Sequence, residues 1–456
     1  VGTAFVLATA LSAQGSENQE IEQLKQMVEK MQKELQQVKT ENQKLKEEIQ
    51  LLKSGMPIPE RKRKASFLSK TKKAVDFYGY FKIDAAYSDS KAVGKDFILF
   101  ALPKSKYGSS DDDFNLNFKH SRFGFLIKTN ESGYNILGNF EFDFYGNLDN
   151  NDDNPNHAGI RVRKAWVQFG KEDWNVRAGL DWMLLTQLYP HLSNFPSGAM
   201  MGNIGYRIPQ IRFTKLFKTE AGKVTTQLAF DKVWGDPWND PLKPYIDTGS
   251  DSGKPDIQGR LVYDTKVNNL KLHFGVIGHY GQEQVDLKTG DKYLDTYSYG
   301  IEGAISPSSW ITVSGKLWKG KNLGGWYTGG VGQGVLYVYD NNGTISTDTK
   351  LTGTPIDAKE INAEGGWIEV TLKPSSQWLF HLGAGVDNPD NDDFKYKNTV
   401  FKKARTKNTM YYANGFYKFT PSLGFMAEYL RVKTDYDFIN TDGTVNRFQG
   451  SILYFF

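Results

Sequence analysis

The sequence predicts an all-β transmembrane barrel of about 16 antiparallel strands, preceded by an N-terminal α-helical coiled coil, and three observations carry that prediction. From Val75 to Phe456 the chain runs in segments whose residues alternate between apolar and polar, each close to the roughly 9–11 residues of a tilted membrane strand. The connections between these segments alternate between short and long. Residues 17–53 repeat instead every seven positions, the period of supercoiled helices.

Composition narrows the field first. A chain of 456 residues has room for two or three soluble domains or one large barrel. Its mean hydropathy is −0.52, and after the first dozen residues no apolar run approaches the roughly 20 needed for a membrane-spanning helix, which excludes a helical membrane protein. Twenty-nine Phe, 24 Tyr and 45 Gly bias the chain toward strands. Cysteine is absent, so disulfides, thiolate metal sites and thiol nucleophiles are excluded. A net charge of +4 is too small to imply nucleic acid as a partner.

Taken in order, residues 1–13 read as the remnant of a secretory signal. They are apolar through Leu11, with small residues at Ala8, Ala10 and Ala13 where a signal peptidase could cut. The basic segment and initiating Met of a signal are missing, so the given sequence is expected to start inside it. A short buried helix is the alternative.

Residues 17–53 form the coiled coil. Ile21, Val28, Leu35, Asn42 and Ile49 take the a positions, and Leu24, Met31, Val38, Leu45 and Leu52 take the d positions. Glu34 with Lys39, Glu41 with Lys46 and Glu48 with Lys53 occupy g and following e positions, which favours parallel self-association. Asn42 would fix the register. Mixed Ile, Val and Leu at a leaves dimer and trimer both open, and a single amphipathic helix packed on its own protein is the competing reading. Residues 54–74 follow as a linker: Gly55, Pro57 and Pro59 stop the helix, and Arg61, Lys62, Arg63, Lys64, Lys70, Lys72 and Lys73 follow without an acid between them. Such a run suits anionic lipid head groups or a periplasmic polyanion such as peptidoglycan, and equally a solvated linker.

Residues 75–456 are the barrel. Strand-like segments include FYGYFKIDAAY, NFKHSRFGFLI, GIRVRKAWVQFG, WNVRAGLDW and QWLFHLGAGV; short turns include TNESG, GKED, KTEAG, KVNN, SPSS, KPSS and TPS. Seven short and eight long connections are what 16 strands require when both ends lie on one side. A soluble propeller gives no reason for short turns at one end only, whereas closure in a bilayer satisfies every backbone hydrogen bond without water. The last segment, SILYFF, reads as the closing strand. Phe448, Gly450, Ile452, Tyr454 and Phe456 lie on its apolar, lipid face, and Arg447, Gln449, Ser451, Leu453 and Phe455 on the other, mixed face.

Strand parity then sorts the lumen. His120 and Arg122 oppose Phe123, Phe125 and Ile127; Arg161 and Arg163 oppose Val162 and Trp166; Arg177 opposes Val176 and Leu180; Arg212 opposes Ile211 and Phe213; Arg260 opposes Leu261 and Tyr263. Charge on the lipid face costs several kcal/mol at the midplane, so these side chains are expected to line the pore. Most sit on the second and the fourth to sixth strands, where a basic wall would draw anions and grip carboxylate or phosphate through paired donors. The alternative is that they brace inward acids such as Glu141, Asp143, Glu302, Glu369 and Glu428. The third long loop, residues 181–206, is unusually apolar for an exposed segment. Leu184, Leu185, Leu188, Phe195, Met200 and Met201 are expected to fold into the lumen as a constriction, a subunit interface being the other way to bury them.

Other motifs carry little. DNNDDNPN (149–156) and NPDNDD (388–393) offer carboxylates to Ca²⁺ but read first as solvated loops, and no metal or cofactor is assigned. GGVGQG (329–334) lacks the strand–helix setting of a nucleotide loop, and neither HExxH nor GxSxG is present, so no enzyme is expected.

The segments HSRFGFLI, GNFEFDFYG and RVRKAWVQFG, the strand leading into a long third loop, and the ending on Tyr454 and Phe456 together resemble a known group. The layout is similar to the trimeric outer-membrane porins of the DcaP type, with the phosphate-selective porins second. That resemblance implies an outer-membrane location with the coiled coil in the periplasm, a homotrimer, and passive diffusion of small hydrophilic solutes. It also implies that Tyr454 and Phe456 signal membrane insertion to the barrel-assembly machinery. With the arginines, the solutes would be small anions. A non-conducting barrel that anchors the envelope through its stalk is the alternative.

Overall fold

A computed structural model describes residues 36, 66–68, 74–104, 111–146, 158–194, 198, 201–232, 252–324, 334–340, 344–346 and 354–456. The signal remnant and the coiled coil lie outside the described residues, apart from the helical Gln36. The acidic stretch 149–156 also lies outside them, as do Phe195 and Met200. In the linker, Ser66–Leu68 is a short strand paired with the first residues of the barrel, Leu68 opposite Ala74. No helix among the described residues is long and apolar enough to cross a membrane.

The barrel has sixteen strands among the described residues, all antiparallel to their neighbours. They are β1 (Ala74–Ser88), β2 in two pieces (Asp113–Asn117 and Arg122–Glu131), β3 (Tyr134–Asp143), β4 (Arg161–Gly170), β5 (Trp174–Trp182), β6 (Arg207–Thr219), β7 (Gly222–Lys232) and β8 (Pro255–Val267). The circuit continues through β9 (Leu270–Leu287), β10 (Gly290–Ser306), β11 (Ile311–Lys321), β12 (Asn362–Leu372), β13 (Trp378–Pro389), β14 (Lys407–Lys418), β15 (Leu423–Tyr436) and β16 (Thr441–Phe455). Each pairs with its sequence neighbour, and β16 closes on β1 with Tyr80 opposite Phe455 and Asp84 opposite Ser451. Closure leaves no strand edge, the condition a bilayer imposes.

The seven predicted short turns all occur at one end. Three are two-residue turns, and the one from β2 to β3 runs through Ser132 and Gly133, both with positive φ, the hairpin geometry that matches strand twist. At the other end, two of the eight connections depart from expectation. Only Lys288 and Thr289 link β9 to β10, and Asp437–Ile439 with Asn440 links β15 to β16. The strands themselves lengthen there, β9 to 18 residues and β10 to 17, so the hairpin is long although its turn is not.

Alternation places apolar residues outside and polar ones inside. On β16, Phe448, Ile452 and Tyr454 are 55%, 50% and 46% exposed, while Arg447, Gln449 and Ser451 are buried. Two irregularities break the period. Strand β2 is interrupted at 118–121, so His120 sits in the break rather than on a strand. Between β3 and β4 the register shifts at Glu141/Phe142, with Arg163 and Lys164 together opposite Glu141. A bulge reverses parity beyond it. Trp166, expected on the lipid face with Val162, therefore faces inward, where the Arg177 guanidinium lies 3.9 Å from its ring centroid.

Described residues of two connections from the long-loop end pack inside the barrel. Met183, Leu185, Ile204 and Ile208 pack with Ile277, Trp318 and Ala363 of the wall. Ile98 and Ala101 of the first connection join Leu192 and Met201 of the third against Met410, Tyr412, Leu430 and Val445.

Candidate functional site

The third connection, residues 183–206, spans the interior because polar groups at different strands catch its backbone. Gln258 of β8 accepts from the Leu184 N–H at 2.8 Å. Lys316 of β11 donates to the carbonyls of Leu185 and Leu188, the latter at 2.8 Å. The Glu428 carboxylate of β15 accepts from Ser193 and Asn194 N–H at 2.6 and 2.7 Å, and Asp387 of β13 from Gly202 N–H at 2.9 Å. Lys82 of β1 donates to Ser193 O at 3.1 Å. A loop buried in a barrel leaves its N–H and C=O groups without water, so each needs such a partner. Leu184, Leu185 and Met201 are fully buried there, and Leu188 is half-buried.

The loop also reaches the wall where side chains are missing. A Cβ on Gly385 would lie 2.0 Å from Met201 O, and one on Gly202 would lie 2.2 Å from Gly366 O. Glycine on both surfaces is what lets backbone meet backbone.

Strands β2–β6 carry the arginines. Arg161 grips Asp143 with two donors, at 2.9 and 2.7 Å. Arg163 bridges Glu141 and Asp143 at 2.9 Å each. Lys164 lies 3.3 Å and Arg122 3.6 Å from Glu141. Arg177 binds Asp181 at 2.5 Å and Gln168 at 2.7 Å, and Arg212 lies 3.5 Å from Asp181 and donates to Trp182 O. These arginines brace inward acids, yet the acids are fewer. Where these side chains meet inside β2–β6, the cluster holds seven cations (Arg122, Arg161, Arg163, Lys164, Arg177, Arg207, Arg212) and three carboxylates (Glu141, Asp143, Asp181).

Arg207 accounts for part of that surplus. It has no carboxylate within ion-pair distance among the described residues, donates to Tyr206 OH at 2.7 Å, and stacks over Trp182 and Tyr206 with centroids 5.0 and 4.7 Å away. Sequence parity misses it because it sits where the loop enters β6, with Arg207 and Ile208 both buried. Two predicted pore residues lie apart from the wall. Arg260 pairs with Glu302 of β10 at 2.5 Å, beside His273 and Lys316. His120 is buried 3.0 Å from Asp84 and packs on Phe97 and Tyr145.

The acidic stretch 388–393 is spoken for internally. Asp390 accepts from Asp392 N–H, and Asp392 pairs with Lys395 at 2.6 Å. Burial alone would raise the Asp393 carboxyl, but Lys359 at 2.7 Å and the Asn362 donors hold it below the usual carboxylate range.

Comparison with known proteins follows this geometry. The family model described as DcaP outer membrane protein matches residues 7–230, through the seventh strand. Among solved structures, the outer membrane channel DcaP of Acinetobacter baumannii aligns over 86% of this chain and all of its own, with a TM-score of 0.64 and 18% identity. The anion-selective porin from Comamonas acidovorans aligns over 84% of this chain and all of its own, at 0.53 and 12%. Pseudomonas putida OprB aligns over 83% and 94%, at 0.50 and 10%. A search of curated proteins finds no match. By family match over its N-terminal part the chain resembles the DcaP outer membrane proteins, and over the whole barrel it shares the fold of outer-membrane porins and channels.

Proposed function

We propose that this barrel passes small hydrophilic anions passively across the outer membrane, attracting them along β2–β6 and sizing them at the third connection. The surplus of seven cations over three carboxylates in that interior cluster carries the reading. In a narrow, partly desolvated lumen such a field concentrates counter-ions, and guanidinium groups suit carboxylate or phosphate. A structural neighbour described as anion-selective supports the same direction. Leu184, Leu185, Leu188 and Met201, with Phe195 and Met200, are assigned to the constriction. The heptad positions of residues 17–53 are assigned to homo-oligomerisation in the periplasm, as a trimer, and Tyr454 with Phe456 to recognition by the assembly machinery. The basic linker would touch anionic lipid or peptidoglycan.

The test is the reversal potential of single channels under a KCl gradient. The wild type is expected to be chloride-selective, and Arg207→Gln to move the potential toward zero without stranding a carboxylate. Arg161→Ala with Arg163→Ala should move it further, although Asp143 and Glu141 then lose partners, a change that typically costs about 3–5 kcal/mol for a buried pair. Cation selectivity of the wild type would remove the anion assignment. Absence of conductance from folded, inserted barrel would favour the envelope-anchoring alternative. Chemical cross-linking of the full chain, against one beginning at residue 54, should give trimers only where the heptads are present.

A further inference from the structure

Where the third connection meets the wall between β12 and β13, two histidines and a glutamate converge. His191 Nδ1 lies 2.6 Å and His381 Nδ1 3.1 Å from the same oxygen, Glu369 Oε1. One ligand atom from each of the three residues falls within 4.8 Å of the others. The imidazole rings stack with centroids 4.6 Å apart. Glu369 and His381 are buried, His191 is mostly so, and His191 Nε2 has no hydrogen-bond partner. We propose that His191, Glu369 and His381 form a binding site for a divalent transition metal of the Zn²⁺ class, which clamps the third connection to the barrel wall.

The donor set is the first argument. Two imidazoles and one carboxylate suit Zn²⁺, Ni²⁺ or Cu²⁺ rather than Ca²⁺ or Mg²⁺, which take oxygen ligands. Three protein ligands with one position left open for solvent is a common zinc arrangement, and the His191 side chain is partly exposed. Spacing is the second. With metal–ligand bonds of about 2.0–2.1 Å, donors on one ion lie about 3 Å apart; the two histidine–glutamate separations, 2.6 and 3.1 Å, are near that, and all three donors lie within 4.8 Å of one another.

Support around the ligands is the third. Tyr412 OH donates to Glu369 Oε2 at 2.5 Å, His191 N–H donates to the same oxygen at 2.7 Å, and Thr371 Oγ1 lies 3.0 Å from both Glu369 Oε1 and His381 Nδ1. Such outer partners aim metal ligands and are themselves worth roughly 10–100-fold in affinity. Gly383 lies directly opposite Glu369, and a Cβ there would sit 2.4 Å from the Tyr412 ring, so the glycine makes room for this support. The other described histidines are committed elsewhere: His120 to Asp84, His273 to Asp264, and His279 to Ser298.

The inference is independent of the anion reading, and its test does not use conductance. The full chain, without a histidine tag, is stripped with chelator in detergent and titrated with Co²⁺ while its visible ligand-field absorption is followed. A saturable spectrum at one equivalent, bleached by Zn²⁺, is expected for the wild type. His381→Gln and His191→Gln should each weaken uptake by at least about tenfold. Retained heat-modifiable migration on gels shows that each variant still forms the barrel. No spectrum from the wild type would overturn the site, as would an undiminished spectrum from the folded double variant, which would place the ion elsewhere.

Discussion

Gly385→Val is expected to widen the channel without unmaking the barrel. The new side chain would place its Cβ 2.0 Å from Met201 O and 2.8 Å from Met410 Cε. Something must move, and the strand is the stiffer party: β13 is paired with β12 and β14 along most of its length. Opposing it, the loop is held there by the Asp387–Gly202 hydrogen bond, by Trp318 Nε1–H donating to Gly202 O at 2.8 Å, and by a longer contact from Trp367 to Asn203. Overpacking typically costs about 1–3 kcal/mol, comparable to two of those bonds, so the loop yields. Single-channel conductance should then rise by roughly twofold or more as the open cross-section grows, and larger solutes should enter in a liposome-swelling assay. Gly450→Val is the control, because a Cβ at that position on the outward face of β16 meets nothing within 4 Å. Unchanged conductance in a folded Gly385→Val barrel would show that the narrowest point lies elsewhere.

This loop also shows how far the sequence can be read. Strand alternation is legible because a two-sided environment, lipid outside and polar lumen inside, imposes period two on every segment, and short turns at one end give the strand count. The burial of Leu184, Leu185 and Met201 is legible too, since an apolar run in a connection has to be covered. The same rule applied to FILFAL at 97–102 would have found the first connection, whose Ile98, Leu99 and Ala101 are buried in the interior. Parity fails at one residue-long irregularities. The bulge at Arg163 and Lys164 turns Trp166 inward, and no composition signal marks it. Pairings fail for a different reason. His191 lies 178 positions from Glu369, and their meeting depends on where the loop crosses the barrel, which alternation along individual strands does not encode. The surplus of charge on β2–β6 was visible as arginines, whereas its neutralised share became visible only once Glu141, Asp143 and Asp181 were placed beside them.

Removing residues 451–456 is expected to abolish the barrel, and Phe456→Ala to weaken it. Residues 451–455 pair on one side with Tyr80–Asp84 and on the other, through 451–454, with Leu423–Met426. Without them β1 and β15 would each present an open edge at membrane depth, where every unsatisfied backbone group costs several kcal/mol. Several such groups exceed the whole stability of an ordinary domain, about 5–15 kcal/mol, so no heat-modifiable species should form. Phe456 alone is a smaller matter. Its ring lies 5.0 Å from that of Phe77, 5.5 Å from Phe123 and 5.7 Å from Phe81, and its N–H donates to Gly79 O at 3.2 Å. Lipid tails replace the apolar area an alanine gives up, leaving the aromatic pairs, about 0.5–1.5 kcal/mol each. The Phe456→Ala variant should therefore refold in detergent with a lower urea midpoint. Refolding in vitro also separates two roles for this residue. If the variant refolds nearly as well as the wild type but fails to reach the outer membrane in cells, the ring is read by the assembly machinery. If both fail alike, the cluster around Phe77 and Phe123 is a structural seam, and the signal role assigned to Phe456 falls.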